Sequence, residues 1–362
     1  MSKPRRHQPS EKLSLVSNLP RPAIDVTEAL GGSGGHHAID ISTAAQTGSW
    51  IRRAGIFVLL FGAVWIALGA AYLFLPFLKA GSVVIADAKF DTLVKNPMFD
   101  PLDRHRVMVF GHSKILAAFR PRDLDAEVGP HFRSYNLGLP GEVRFLPILE
   151  AALAAGNIPT HVLLTIPWDG KAEAEGLAAL LHDDNRLAGT LFPFRALPRD
   201  AALFLLQNRN RLAEAVRDVE AQQSAMIEDR GWYFIKSQSQ YSDDRLPTDY
   251  SLPTDNAARS QPRLIPGLSH VRGRLEHLAR KYGFQVIFIP GLFREGEVAP
   301  CAASDQLRMT VMSEWPLIRV IGPDYFVYPP ALFADPQHMN PSGAKVFTAD
   351  LARLLKATGA FD

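Results

Sequence analysis

Residues 161–167 read HVLLTIP, and residues 284–290 read FQVIFIP. Both runs are of strand length and mainly apolar, a pattern typical of strands buried on both faces of a sheet. Two further candidate strands lie at 107–110 and 134–137. Helical patterns fall between the strands, at 142–155, 200–228, 268–282 and 342–357. This alternation of strand and helix predicts an α/β fold, a three-layer α/β/α sandwich with a parallel sheet.

A membrane anchor is predicted ahead of this domain. Residues 54–78 read AGIFVLLFGAVWIALGAAYLFLPFL, 25 residues without a charge, and a helix needs about 20 residues to cross the hydrocarbon of a bilayer. A buried core helix usually shows a polar face, which this segment lacks. A cleaved signal peptide is shorter and lies nearer the N-terminus. The sequence therefore predicts one transmembrane helix at 54–78, in contact with the lipid bilayer.

The cations that flank this helix predict its orientation. Before it come Lys3, Arg5, Arg6, Lys12, Arg21, Arg52 and Arg53, whereas Lys79, Lys89 and Lys95 follow within twenty residues. The excess of positive charge on the first side predicts a cytoplasmic N-terminus. In a bacterium the chain would be a single-pass inner-membrane protein whose main domain is periplasmic.

Composition shifts divide the chain into four regions. Residues 1–53, with GGSGGHH at 31–37, predict a flexible cytoplasmic tail before the helix at 54–78. Residues 79–101 are predicted as a stalk, and 102–362 as the extracytoplasmic domain. Within that domain 236–267 is polar, holds four prolines and is too long for an ordinary connection. It is either a mobile lid or substrate-binding loop, or a disordered insertion.

Composition and charge also exclude several classes of protein. The chain is 47% hydrophobic and 21% charged, which excludes a disordered protein. A net charge of +2 argues against a nucleic-acid partner. Cys301 is the only cysteine, so an intrachain disulfide and a thiolate metal cluster are excluded. The adjacent His36 and His37 lie in a Gly/Ser-rich stretch typical of solvated residues, and no metal or cofactor is predicted.

A serine follows the first candidate strand. Gly111, His112 and Ser113 come directly after 107–110, at the carboxyl end of a strand, where ligands gather in parallel sheets. Ser113 is therefore a candidate nucleophile, and the amides of a helix beginning near 115 would stabilise developing negative charge. Serine is also a common helix cap, so the position alone leaves that alternative open.

An acid and a histidine lie near the C-terminus. Asp335 precedes His338 by three residues, in a proline-rich loop before the last helix. The carboxylate can keep one imidazole nitrogen protonated while the other nitrogen accepts a proton from a serine hydroxyl. The same spacing occurs in capping turns and in divalent-metal pairs, which the pattern alone leaves open.

Three stretches together resemble the SGNH/GDSL hydrolase superfamily: GHSKILAAFRP from Gly111, SYNLGLPG from Ser134 and DPQHMNPSGAKVF from Asp335. With the membrane anchor, they resemble its DltD-like and alginate-acetylation-like branch over about residues 106–355. The resemblance implies an SGNH-hydrolase-like fold and a serine esterase or O-acyltransferase that acts on an acyl ester of a cell-envelope polysaccharide. It also implies a polytopic membrane partner in acyl transfer.

The resemblance assigns roles to four residues. Ser113 matches the nucleophile, His338 the base, Asp335 the acid and Gly138 the glycine of the oxyanion hole. The third motif of the superfamily, Gly-x-Asn-Asp, is replaced by PWDG at 167–170. Without the asparagine, the backbone N–H groups of Ser113 and Gly138 are left as the implied oxyanion donors.

Three further residues are candidates for binding substrate. Asp169 is placed to bind a substrate hydroxyl and Trp168 to stack on a sugar ring, although each fits a strand-end cap or a packing residue equally well. Asn136, in the second motif, is the third candidate. The acyl acceptor, water or a sugar hydroxyl, stays open. A non-catalytic SGNH-fold scaffold that binds polysaccharide or organises an export complex is the alternative function.

Overall fold

The structure is a computed structural model that describes residues 42–79, 81–140, 145–165, 194, 196–234, 239–253, 255, 270–298, 309–312 and 315–361. The strands in this part of the chain are β1 (His105–Phe110), β2 (Phe132–Asn136), β3 (His161–Leu164), β4 (Gln285–Phe288), β5 (Gly291–Arg294), β6 (Met309–Met312), β7 (Trp315–Ile321) and β8 (Tyr325–Tyr328). The α-helices are α1 (Ser42–Phe74), α2 (Gly81–Ala88), α3 (Ser113–Ala118), α4 (Pro121–Val128), α5 (Phe145–Ala154), α6 (Leu197–Gln207), α7 (Leu212–Glu228), α8 (His270–Tyr282) and α9 (Pro341–Ala357).

The main sheet has the strand order β2-β1-β3-β4-β7-β6. The first five strands are parallel, and β6 pairs antiparallel with β7 at the edge. Strands β5 and β8 form a separate parallel pair. In the main sheet Val109 lies opposite Asn136 and Phe110 lies opposite Leu164, so the carboxyl ends of β1, β2 and β3 meet. The predicted mixed α/β fold with a parallel sheet is confirmed.

Helices cover both faces of this sheet. Successive strand residues point to opposite faces, and in β1 Met108 packs in a core cluster with α5 and α8, whereas Val109 packs in a second cluster with α3, α4 and α9. Both residues are fully buried. This two-sided burial explains why the central strands read as apolar runs without alternation.

One predicted helix is divided in the structure, and another ends where it was predicted to end. The helix predicted at 200–228 is divided into α6 and α7. The Asn208 side chain donates to the Phe204 carbonyl at 2.9 Å and so satisfies a carbonyl in the last turn of α6. The helix predicted to end at Tyr282 does end there, and Gly283 follows it with φ +75°, the left-handed conformation that favours glycine.

The segment predicted as a stalk is part of the domain. After α2 comes a π-helical turn, Lys89–Val94, and Leu93, Val94 and Met98 are buried in the core cluster that also holds α5. The prediction of a stalk at 79–101 is therefore wrong, because these apolar side chains pack in the core on one face of the sheet.

The polar segment 236–267 is folded where the structure describes it, at 239–253 and 255. Leu246 is 1% exposed and its N–H donates to the Phe333 carbonyl at 2.9 Å. Both carboxylate oxygens of Asp255 accept from Nη2 of the buried Arg294, at 2.7 and 2.8 Å. The prediction of a disordered insertion is therefore wrong for these residues. The Asp255–Arg294 ion pair and the burial of Leu246 hold them against the domain.

The predicted anchor belongs to α1. Its part Arg52–Phe74 is long and apolar enough to span a membrane. The helix ends at Phe74, four residues before the predicted end at 78, and Pro76–Leu78 form a 3-10 turn. Proline has no N–H to continue the helix, which accounts for the earlier end. Of the predicted tail at 1–53, residues 42–53 belong to α1, and residues 1–41, with His36 and His37, lie outside the described residues, as does Cys301.

Candidate active site

The turn between β1 and α3 places Ser113 at the carboxyl edge of the sheet. A Cβ atom on Gly111 would lie 2.5 Å from Thr165 Oγ1 and 2.6 Å from Ile115 Cγ1. Only glycine therefore fits at this position without a shift of its neighbours. The close packing of β1 against β3 and α3 thus fixes the backbone two residues before Ser113.

His112, and not Ser113, caps α3. Its Nδ1 accepts the backbone N–H of Lys114 at 3.2 Å, so the alternative that Ser113 caps the helix is wrong. Burial, with smaller contributions from the neighbouring Lys114 and His338, lowers the pKa of His112 to about 4. A neutral imidazole keeps Nδ1 free to accept, which is the state that the cap requires.

Asp335 and His338 form a hydrogen-bonded pair in the loop before α9. Nδ1 of His338 lies 2.8 Å from Oδ2 and 3.1 Å from Oδ1 of Asp335. Oδ1 also accepts the backbone N–H groups of Gln337 and His338, at 2.8 and 2.9 Å. Burial alone would raise the pKa of Asp335, but these hydrogen bonds and the histidine lower it below its usual value. An ionised Asp335 holds the proton of His338 on Nδ1 and leaves Nε2 to accept.

One cavity of about 450 Å³ brings the predicted catalytic residues together. Ser113, Asp335 and His338 line it, although no hydrogen bond joins the Ser113 hydroxyl to the His338 ring in the structure. Catalytic hydrogen bonds are often long in ligand-free sites and shorten when substrate binds. The other lining residues are Ile85, Leu116, Ala117, Pro140, Tyr233, Phe234, Ser239 and Ala334.

Asn136, predicted to bind substrate, is instead buried and completely engaged within the protein. Its Nδ2 donates to the carbonyls of Ile115, Leu116 and Phe119 at 2.9, 3.2 and 2.8 Å. Its Oδ1 accepts the Gly138 N–H at 2.9 Å. The prediction that Asn136 binds substrate is wrong in this structure, because the side chain joins the end of β2 to α3 and does not face the cavity.

The backbone N–H and carbonyl of Gly138 are also hydrogen-bonded within the protein. Its N–H is bonded to Asn136, its carbonyl accepts from Lys89 Nζ at 2.7 Å, and a Cβ atom would lie 2.8 Å from the Leu116 nitrogen. The prediction that the Gly138 amide is an oxyanion donor is therefore wrong in this structure. Glycine is needed here because the chain passes against the backbone of α3.

A buried lysine completes this structural unit. Lys89 is fully buried, and its Nζ donates to the carbonyls of Asn136 and Gly138, each at 2.7 Å. Burial lowers the pKa of Lys89 well below its ordinary value. Gly231, with φ +94°, packs on the same carbonyl, since its Cβ would lie 2.0 Å from the Asn136 oxygen. We call Lys89, Asn136, Gly138 and Gly231 the buried corner.

The residues after His338 hold the loop that carries Asp335 and His338. Asn340 caps α9 by accepting the Gly343 N–H at 2.9 Å, and its Nδ2 donates to the Ala331 carbonyl at 3.0 Å. A Cβ atom on Gly343 would lie 2.1 Å from the Leu332 carbonyl oxygen. Asn340 and Gly343 therefore place the loop that carries His338 and take no direct part in chemistry.

Several residues of the site were not predicted from sequence. Tyr233 and Phe234 line the cavity, and burial raises the pKa of Tyr233 to about 12. The Lys114 ammonium lies 3.1 Å from Glu297 and 4.1 Å from the centre of the Phe293 ring. The aromatic run at 232–234 after a polar helix was the available signal for the first two residues, whereas the pairing of Lys114 depends on contacts distant in sequence.

Trp168 and Asp169 lie outside the described residues, so their predicted contact with substrate stays a prediction. Among the residues that the structure describes, no group of three or more His, Cys, Asp or Glu side chains is arranged to hold a metal ion.

Comparison with known proteins gave no match, neither to a family model, nor to a curated protein, nor to a solved structure. Function is therefore inferred from the residues of this chain and from their geometry.

Proposed function

We propose that the chain is a membrane-anchored SGNH-type serine esterase or O-acyltransferase that acts on an acyl ester of a cell-envelope polysaccharide or related polymer. One observation carries the proposal. Ser113, at the carboxyl end of β1, shares a cavity with a histidine whose Nδ1 lies 2.8 Å from the Asp335 carboxylate. A serine, a histidine and an acid in these positions are the components of acyl transfer through a covalent intermediate.

In the proposed mechanism, Oγ of Ser113 attacks the carbonyl carbon of the acyl ester while Nε2 of His338 takes the hydroxyl proton. Asp335 keeps the other imidazole proton on Nδ1 and stabilises the imidazolium. The tetrahedral intermediate collapses, the alcohol leaves with the proton from His338, and the acyl group stays on Ser113. Water or a sugar hydroxyl then attacks the acyl-enzyme, and His338 takes the proton of this second nucleophile and returns it to Ser113.

The oxyanion hole that we propose differs from the one implied by sequence. The Gly138 N–H is bonded to Asn136, so the Ser113 N–H remains the proposed backbone donor. Loss of one oxyanion donor lowers kcat by about a hundred-fold or more. A weak oxyanion hole favours transfer from an activated acyl donor over hydrolysis of a stable ester, which supports the acyltransferase form of the proposal.

The proposed setting is the bacterial inner membrane, with a cytoplasmic N-terminus and a periplasmic catalytic domain. A cavity of about 450 Å³ has the size of small-molecule sites, which run from about 300 to 1,000 Å³, and accommodates an acylated sugar unit. A polytopic membrane protein that delivers the acyl group is the partner proposed for the transferase.

The first test is the release of nitrophenol from p-nitrophenyl acetate by the full chain in detergent micelles, with the intact mass of the protein measured in parallel. We expect turnover or an acetyl adduct in the parent and in Ser342→Ala, whose serine is exposed in the first turn of α9, and neither in Ser113→Ala. Equal turnover in Ser113→Ala and the parent contradicts the assignment of the nucleophile. No turnover and no adduct in any form favours the non-catalytic scaffold.

A further inference from the structure

Exposed apolar side chains of the domain are concentrated in one segment. Beyond α1 and Leu75, six large hydrophobic residues of the described chain are at least 38% exposed. Four of them lie close together in sequence, at the end of α6 and the start of α7: Leu203, Leu205, Leu206 and Leu212. The other two, Leu102 and Val346, lie elsewhere. A cluster of this kind marks an interaction surface.

This cluster adjoins the apolar helix. The ring of Phe204 in α6 lies 5.8 Å from the ring of Phe77, in the turn that follows α1. Upstream, the ring of Phe194 lies 5.3 Å from the ring of Trp65, and Phe194 Cε1 is the nearest neighbour of a Cβ built on Gly69, at 3.6 Å.

The position of these contacts along the apolar span indicates what surrounds the side chains that make them. Gly69 and Trp65 precede Phe74, the last residue of the apolar span Arg52–Phe74, by five and nine positions. At a rise of 1.5 Å per residue they lie about 7 and 13 Å inside the end of the span. If the span crosses the bilayer, a side chain that contacts Trp65 from the domain lies among lipid.

Exposed arginines lie near the cluster. Arg209 and Arg211 lie in the connection between α6 and α7, and Arg211 pairs with Asp218 at 3.6 Å. Arg199, in the first turn of α6, has 75% of its side chain exposed and pairs with Asp200 at 2.9 Å. Exposed arginines beside an apolar helix face are typical of helices that lie in the bilayer interface, where phosphate groups attract cations.

We propose that residues 196–212, the interfacial segment, lie in the outer interface of the bilayer, with Leu203 and Leu206 in contact with acyl chains, and that Phe194, which contacts Trp65, lies deeper among the acyl chains. The segment is a second point of membrane attachment besides the transmembrane helix. Because two attachments prevent rotation about the helix axis, they fix the orientation of the domain and of its cavity relative to the membrane. This inference does not depend on the proposed chemistry.

The test is fluorescence quenching on the full chain in vesicles of phosphatidylcholine and phosphatidylglycerol. Cys301→Ser removes the native thiol, and Leu206→Cys or Leu203→Cys provides a site for a polarity-sensitive dye. The matched control is Leu102→Cys, since Leu102 and Leu206 are 72% and 67% exposed. We expect vesicles with brominated acyl chains to quench most of the emission at 203 and 206 and none at 102, while aqueous iodide quenches only at 102.

Two results overturn the proposal. Equal access of iodide to all three positions places the segment in water. Protection from iodide without quenching by brominated lipid means that protein, either a partner or a second copy, covers the leucines. Each dye-labelled variant is first shown to float with the vesicles, which establishes that α1 is inserted, so equal access of iodide at all three positions cannot result from loss of anchoring.

Discussion

Replacing Asn136 by alanine tests the role of the buried corner. The side chain makes five hydrogen bonds: three that it donates to backbone carbonyls, one that it accepts from a backbone N–H and a long one, 3.5 Å, that it accepts from Lys89 Nζ. The residue itself is fully buried, so bulk water does not replace these partners. Alanine removes all five bonds and leaves polar groups without partners inside the protein.

The magnitude follows from which groups lose their only partner. The carbonyls of Ile115 and Leu116 keep other donors, from the amides of residues 119 and 233 at 3.0 and 3.3 Å. In Asn136→Ala, the Phe119 carbonyl and the Gly138 N–H lose the side chain to which they are hydrogen-bonded. Each buried polar group without a partner costs about 1–3 kcal/mol. Asn136→Ala is therefore expected to lower the free energy of unfolding by about 4 kcal/mol.

The assay is urea-induced unfolding of the full chain in detergent micelles, followed by tryptophan fluorescence. Asn96→Ala is the control, because Asn96 donates to the Thr92 carbonyl at 2.7 Å in an exposed setting, and an exposed bond of this kind is worth about 0.5 kcal/mol. If Asn136→Ala destabilises the protein no more than Asn96→Ala does, the reasoning is refuted. A stable Asn136→Ala protein that has lost esterase activity would restore the original prediction that Asn136 binds substrate.

Three further changes have expected outcomes. Gly231→Ala should prevent folding at 37 °C, measured as the yield of monodisperse protein, because it introduces a Cβ 2.0 Å from a carbonyl oxygen at φ +94°. Asp335→Asn should leave the unfolding transition unchanged and lower kcat about a thousand-fold or more in the nitrophenyl assay, because the tautomer of His338 is no longer fixed. Burial lowers the pKa of His112 and of His161 to about 4, below the value of about 6.5 in the unfolded chain. The unfolded state then binds more protons, so the free energy of unfolding should fall as the pH drops from about 6.5 to 4, by roughly 2–3 kcal/mol per histidine. Urea midpoints at pH 7 and pH 4.5 measure this loss, which His161→Gln should reduce.

The Asp335–His338 pair and Ser113 were predictable because their placement depends largely on local sequence pattern. An apolar run of strand length before Gly111 indicates where β1 ends, and the structure places Ser113 at that edge of the parallel sheet. Asp335 and His338 lie three residues apart in one turn, and backbone amides of that same turn fix the carboxylate. In both cases the residues that position the side chain are its neighbours in sequence.

The contacts of Asn136, in the stretch SYNLGLPG, could not be predicted in the same way. A sequence places Asn136 at the end of a strand, but it does not show whether the side chain faces the cavity or the protein. That choice is made by the carbonyls at the end of α3 and by Gly231, which packs on the Asn136 carbonyl from a distant part of the chain. A hydrogen-bonding residue beside a candidate nucleophile is therefore as consistent with a structural tie as with a ligand contact.

Residues that follow α1 contribute to the candidate site and to its support. Ile85 in α2 lines the cavity, and Lys89, one helical turn later, donates to the carbonyls of Asn136 and Gly138. Leu93 and Val94 continue from there into the core under the sheet. A flexible stalk would let the domain move independently of α1, whereas a segment with these contacts cannot leave without exposing Leu93 and removing the donor from the Asn136 and Gly138 carbonyls. The position of the cavity is therefore linked through α2 to the end of the apolar helix α1, which is the arrangement that the proposed delivery of an acyl group at a membrane surface would require.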